Sequence, residues 1–375
     1  MTSDPARVRR PIRRNWRHAT GPIPRANAVR IRPDIDSVLL PHPEDESPEL
    51  TSVVIATHND GANIQPLLER LRAEPRVAEL IVIASACTDD TVPIALELAS
   101  HDPRIHVYIE SERTGKASVV NFGFGVARYP VVLLVAGDVL PDPGAVQLLI
   151  DAVLQDGVGL AGGRPRPVDD PASAMGHIAH LMWGVHHRLA LHSPKLGEVV
   201  AVRAEAVAQL PPTWVDEACL QALVESTGWR SAYMPQAVIR NHGPLSAREF
   251  VYQRRRNHVG HLVLKHRLGY TVPSLRPLLL LTEFARHLRS RHDQGRRTPL
   301  AWTVLAVTLE MWARLLARTD LVRGKEHHVW AMAASAKGHA LGAHGRVARD
   351  VQRLAQPGLA APVADQRDRE RNLPL

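Results

Sequence analysis

The sequence predicts an α/β fold, a mostly parallel sheet flanked by helices, followed by a C-terminal helical extension. From residue 51, short Val/Ile-rich runs alternate with amphipathic stretches, and repeats of this kind pair their strands in parallel. Beyond about residue 262 the strand signals stop and helical periodicity remains.

The elements follow in order. "TSVVIAT" (Thr51–Thr57) reads as a buried strand closed by "HNDGAN", and Ile64, Leu67, Leu68 and Leu71 follow at helical spacing. "LIVIASA" (Leu80–Ala86) is a second strand, "CTDDT" its loop, and Thr91–Ala99 a helix with Asp89 or Asp90 near its start. Ile105, Val107 and Ile109 alternate as a third strand, Lys116–Val126 is helical, and Val131–Val135 is a fourth strand buried on both faces. "RPLLLLTEFARHL" (Arg276–Leu288) and "LAWTVLAVTLEMWARLLAR" (Leu300–Arg318) are helices. In the second, Thr303, Glu310, Arg314 and Arg318 form a polar stripe, with Glu310 and Arg314 a favourable i,i+4 pair. Its uncharged run, Leu300–Leu309, is shorter than the roughly 20 residues of a spanning helix. The expectation is a helix buried against the main domain, or one lying in a membrane interface anchored by Trp302 and Trp312.

Four regions result: a charged arm over 1–50 expected to lack stable structure, a main domain over 51–262, a helical region over 263–345 and a flexible tail over 346–375. The net charge of +8 favours anionic partners. Residues 1–33 carry nine arginines against Asp4 alone, and residues 34–50 turn acidic. Such an arm, or the C-terminal helices, suits an anionic membrane surface. The two cysteines, Cys87 and Cys219, are far apart, which fits a reducing cytosol rather than a disulfide framework. No apolar stretch follows the basic start, so a secretory signal is not expected and a cytoplasmic place is, with peripheral contact at the inner face of the plasma membrane.

Chemistry concentrates in four segments. "VVIATHNDGANI" leads from a strand end into a polar loop. "ERTGKASVVNFG" places Lys116 beside helix N-terminal amides, a setting that attracts phosphate. "LLVAGDVLPDPGA" ends a core strand on one carboxylate, Asp138, at the edge where open α/β sheets bind ligands. "WVDEACL" sets Asp216 and Glu217 side by side, ahead of "QRRRNHVGHL".

In this order the segments resemble the family 2 glycosyltransferases of the GT-A (Rossmann-like) fold, over about Thr51–Leu262 and more weakly through "VWAMAASAKG" (Val329–Gly338). "IVIASACTDDT" is similar to the family's nucleotide loop "VVDDGSTDGT", with Ser85 where an acid often contacts the base. "RTGKASVVNFG" resembles "GKAxALNxG", "VAGD" resembles "LDAD" with Ala136 for the first Asp, "VDEACL" resembles "EDxxL", and "QRRRN" resembles "QxxRW" with Asn257 for Trp.

The resemblance implies an inverting transfer of a sugar from a nucleotide-sugar donor, UDP-linked, to an acceptor hydroxyl whose identity it leaves open. It implies Glu217 as general base beside Asp216, and Thr57, Asn59, Ser85, Asp89, Lys116, Asn121, Gln253 and Arg256 on the donor. A divalent cation, Mg or Mn, falls to Asp138, with His242 as a second ligand. Leaving-group charge calls for that cation and an arginine, and the acceptor hydroxyl calls for a carboxylate. Arg254 and Arg255 are expected in structural or surface roles, and His177, His180, His186, His187 and His192 in structural or acceptor-lining ones. Asn257 in place of Trp implies one or a few transfers rather than chain building.

Other classes fit less well. A sugar nucleotidyltransferase wants a Gly-rich, Arg/Lys-bearing loop after the first strand, and "ATHNDGAN" lacks both. A nucleic-acid-binding protein wants stacking aromatics, which are 4% of residues, so no specific nucleic acid is expected. A catalytically degenerate member of the same fold is the third alternative, given Ser85, Ala136 and Asn257.

Overall fold

A computed structural model describes residues 28–31, 47, 49–207, 209–293, 299–324 and 341. The chain divides into a unit ending at Leu341 and a second, Gly342–Leu375. The second unit, most of the arginine arm and the Val329–Gly338 segment lie outside the described residues.

Strand β1 (Ala28–Ile31) is followed by β2 (Thr51–Thr57), α1 (Gly61–Arg72), β3 (Val77–Ser85), α2 (Thr91–His101), β4 (Ile105–Glu110), α3 (Lys116–Val126) and β5 (Val131–Ala136). Then come β6 (Val139–Pro141), α4 (Ala145–Val153), β7 (Val158–Pro167), α5 (Ala174–His192), β8 (Val199–Arg203), α6 (Asp216–Ser226) and β9 (Arg230–Asn241). Three helices close the described chain: α7 (Ala247–Leu268), α8 (Pro277–Asp293) and α9 (Leu300–Val322).

The strands form one sheet in the order β1-β4-β3-β2-β5-β8-β7-β9-β6. The β1, β4, β3, β2 and β5 half is parallel, as is the β7–β9 pair. Antiparallel pairing at β5–β8, β7–β8 and β6–β9 makes the second half mixed. Strand β3 starts at Val77, three residues ahead of the sequence expectation. The fully buried Glu79 hides that extension in the pattern; it accepts from Ser52 Oγ and Arg128 Nε, both at 2.7 Å.

Both sheet faces are covered. Val53, Ile55 and Leu133 point towards Ile64, Leu67 and Leu149 of α1 and α4, while Val54, Ile81 and Val132 face Val119, Val120 and Leu220 of α3 and α6. Two-sided burial is why these strands read as continuous apolar runs. A further cluster, including Ile178, Leu181, Phe250 and Ala306, joins α5, α7 and α9.

Helix α9 corrects one expectation. It runs 23 residues with a window of mean hydropathy 1.4, long and apolar enough by length and composition to cross a membrane. Counting only the uncharged run underestimated it, because Glu310, Arg314 and Asp320 are absorbed by partners. Arg254 Nε donates to Glu310 at 2.7 Å, Arg314 Nε at 2.8 Å, and Arg255 pairs with Asp320. The amphipathicity of α9 is inverted. Thr303, Ala306, Ala313, Ala317 and Asp320 are buried, whereas Leu300, Val304, Val307, Met311 and Leu315 are exposed at i, i+4, i+7, i+11 and i+15. A helix on a water-facing surface shows the opposite arrangement.

Helix α3 approaches β2 closely because residue 123 is glycine: a Cβ there would run into the Val54 side chain. Gly123→Ala is therefore expected to cost about 1–3 kcal/mol through overpacking, read by denaturant unfolding. An unchanged midpoint would contradict the contact.

Candidate active site

The sheet order reverses at β2, which has β3 on one side and β5 on the other. Beyond such a switch point the loops diverge and leave a crevice at the C-terminal strand edge. Thr57 and Asp138 stand at its two lips. Residue 137 must be glycine for the β5 end to pass so close to the β2 loop, since a Cβ there would collide with Thr57 Oγ1 and Asp60 Oδ2.

The β2 and β3 edge is a hydrogen-bonded shelf. Thr57 Oγ1 donates to Asp60 Oδ2 at 2.8 Å, and the Asn59 side-chain carbonyl accepts from the Thr88 amide at 2.8 Å. Asn59 has a φ of 55°, the left-handed region that Asn tolerates better than most. Ser85 Oγ donates to Glu110. Asp89 accepts from the Gly61 amide at 2.9 Å and from Thr91 Oγ1 at 2.6 Å. Burial pushes its carboxyl up, but these donors outweigh it and hold Asp89 below its ordinary range. Asn121 is placed elsewhere: both ends of its amide bind the Leu210 backbone, at 2.8 and 2.9 Å.

Deeper in, a cavity of about 470 Å³ is lined by Lys116, Asp138, Glu217, His242, Gln253 and Arg256. The fold thus gathers these six sequence-identified residues from α3, the β5 edge, α6, the end of β9 and α7. At its inner end Lys116 Nζ lies 2.5 Å from Glu217 Oε1 and 3.5 Å from Asp216 Oδ2. The two acids open α6, where the helix dipole favours negative charge. Burial opposes ionisation of Glu217, yet the Lys116 ammonium prevails and holds that carboxyl below its usual range. Burial and the neighbouring Glu217 charge push Asp216 the other way, against the pull of Lys116. The two carboxyls are thus driven apart, Glu217 towards easier ionisation and Asp216 towards harder. Arg256 Nη2 donates to Asn257 Oδ1 at 3.0 Å, which fixes the guanidinium on the cavity wall. His242 Nδ1 pairs with Asp169 Oδ1 at 3.2 Å, an arrangement that orients imidazole ligands.

Sequence reading missed Glu198 and Lys195, both of which line this cavity. Glu198 takes a φ of 67°, a conformation costly to a side-chain-bearing residue. Burial, then the charges of Asp138 and Glu217, push its carboxyl up to about 8. Lys195 is drawn down to about 7 by burial and by the like charge of Arg254. The positive φ leaves no trace in composition, so only the fold reveals Glu198. Of the histidines, His186 lines the cavity and burial keeps it neutral. His177 pairs with Thr303, His180 with the Asp169 carbonyl, His187 with Tyr233 and His192 with Glu283.

Among the described residues, no group of three or more His, Cys, Asp or Glu side chains forms a ready-made metal cage. Asp138 and Glu198 both line the cavity as hard oxygen donors, and the Asp138 charge that raises the Glu198 carboxyl is one a cation would offset. Mg²⁺ and Mn²⁺ suit such a partial shell when phosphate oxygens complete it.

The family model of Glycosyl transferase family 2 matches residues 52–206. Among solved structures, the chain is similar to a mannosyltransferase from Pyrobaculum calidifontis in complex with GDP-Man and Mn²⁺. That likeness has 18% identity and a TM-score of 0.51, covering 78% of this chain and 92% of the other. It is also similar to glucosyl-3-phosphoglycerate synthase from Mycobacterium tuberculosis in complex with Mn²⁺, UDP and phosphoglyceric acid. There the identity is 20% and the TM-score 0.44, with 59% of this chain and 79% of the other covered. No curated protein matches the sequence.

The strained backbone at Glu198 gives a stability test. Glu198→Gly is expected to raise stability by about 1 kcal/mol, because glycine adopts a positive φ freely and a buried acid is removed. A lowered thermal midpoint would show instead that the Glu198 side chain holds the site together.

Proposed function

We propose that this chain is a family 2 glycosyltransferase with the GT-A fold and that it moves a sugar from a nucleoside-diphosphate donor to an acceptor hydroxyl in one displacement that inverts the anomeric centre. The observation that carries this reading is the cavity that joins Asp138, Lys116, Glu217 and Arg256. Those groups are what the reaction needs: a cation seat, positive charge for the leaving diphosphate, and a base.

Thr57, Asn59, Ser85 and Asp89 form the shelf under the nucleoside. Asn121 acts at one remove, by pinning the Leu210 segment ahead of α6. Asp138, with Glu198 and His242 lining the same cavity, would hold Mg²⁺ or Mn²⁺. When bound, the cation supplies charge stabilisation to the departing diphosphate. Arg256 and Gln253 reach the donor from α7. Glu217 Oε1 is engaged by Lys116, so Oε2 is the oxygen that takes the acceptor proton. Asp216 positions that carboxylate on the first turn of α6.

Donor phosphates compete with Glu217 for Lys116. Binding them weakens the hold of Lys116 on Glu217 and makes that carboxylate a stronger base once the donor is in place. A UDP-linked sugar is the donor we place first, and a GDP-linked one is the comparison, since a mannosyltransferase of this fold holds GDP-Man. We place the enzyme in the cytoplasm, attached peripherally through the outward face of its C-terminal helices.

Asp138→Asn is expected to abolish Mn²⁺-stimulated transfer with the fold intact. Full activity in that variant, or undiminished wild-type activity in excess chelator, would remove the cation from the account. Glu217→Gln is expected to lose about 10²–10⁴ in turnover while still binding UDP. If Asp216→Asn is the inactive variant and Glu217→Gln turns over normally, the base is Asp216.

A further inference from the structure

The lining of the cavity is more apolar than a sugar transfer between polar partners requires. Past the charged end it runs between α5, α8 and α9, along Leu181, Met182, Leu280, Phe284, Ala306 and Val307. A polyhydroxylated acceptor laid along these side chains would lose its hydrogen bonds to water and gain none. An alkyl or isoprenoid chain fits the lining instead. The whole cavity, charged end included, measures about 470 Å³, within the range for a ligand of moderate size. Lys195 and the Arg254–Glu310 ion pair line the same cavity and give it polar contacts suited to a small head group.

The apolar arm is continuous with the outer surface. Leu281, Val307 and Met311 line the cavity and are also 64%, 44% and 61% exposed. Around them Leu278, Val304, Trp312 and Leu315 are more than half exposed, and Arg318 and Arg323 follow on the solvent side near the end of α9. Exposed leucines beside a tryptophan, with arginines at the margin, are how an interfacial helix meets an acidic bilayer. Small or ion-paired groups occupy the buried side of α9, so its large apolar groups are available to lipid rather than to the core.

We propose that the acceptor is a bilayer lipid, an amphiphile whose hydroxyl reaches Glu217 while its apolar chain lies between α5, α8 and α9 and enters past Leu281, Val307 and Met311. This rests on the reading of the charged end as the transfer site.

The test uses the full chain, purified without detergent, and n-alkyl β-glucosides from methyl to dodecyl below their micelle concentrations. Binding is followed by isothermal titration calorimetry. UDP and GDP binding with Mn²⁺ is measured on the same sample. Affinity is expected to rise about fourfold per methylene from butyl to octyl, and the chain is expected to float with phosphatidylglycerol vesicles. Val307→Trp, at a half-exposed position that tolerates bulk, is expected to flatten the chain-length series without moving the melting temperature or the nucleotide binding. Nucleotide binding with no dependence on alkyl length would overturn the proposal and leave the transfer site standing, whereas loss of nucleotide binding would strike the transfer site itself. A chain-length series unaltered in Val307→Trp would place the alkyl groups outside the cavity. Failure to float, or a stable dimer covering α9, would overturn the bilayer as the source.

Discussion

The arrangement depends on where Lys116 points. Its ammonium is driven into the cavity from the first residue of α3, and there it meets two adjacent acids separated from it by about a hundred positions in the chain. Two carboxylates at one helix start repel each other, and burial adds to the cost. The buried ammonium makes that pair tenable and ties α3 to α6. The same contact biases the charge state of the site: it holds Glu217 below its usual range and partly offsets the burial and the Glu217 charge that push Asp216 up. Removing the cation without replacing it would leave buried acids uncompensated, which is far more damaging than loss of an exposed pair.

A second constraint comes from the C-terminal helices. Arg254 and Arg255 project from consecutive positions of α7 and both end on acids of α9. These pairs consume the charge of α9 on its inner side, so the helix closes the far wall of the cavity and presents hydrocarbon outward. The pocket chemistry and the surface chemistry are therefore two consequences of one packing choice.

Much of this was legible in the sequence, for reasons that can be named. Strands β2 to β5 are buried on both faces, so their apolar runs are unbroken, and Asp138 stands out as the first charge after one of them. Lys116 was recognisable at a helix start, although its partners were not, since no local pattern links residues a hundred apart. Strand β9 escaped notice because most of its residues are half-buried and Pro235 interrupts it. Strand β8 is only five residues long. Glu198 was hidden because its importance comes from a left-handed turn and from the approach of Asp138. The spanning length of α9 does not show in its uncharged run, which stops at Leu309, ahead of Glu310 and Arg314.

The central claim is that the cavity between the sheet edge and α7 receives the donor diphosphate with its cation. A crystal structure of the chain soaked with Mn²⁺ and UDP, with the metal located by anomalous scattering, tests it most directly. The account predicts an Mn²⁺ peak in coordination contact with Asp138, bridged to diphosphate oxygens that approach Lys116 and Arg256. A nucleotide bound elsewhere, or a metal peak with no contact to Asp138, would contradict it.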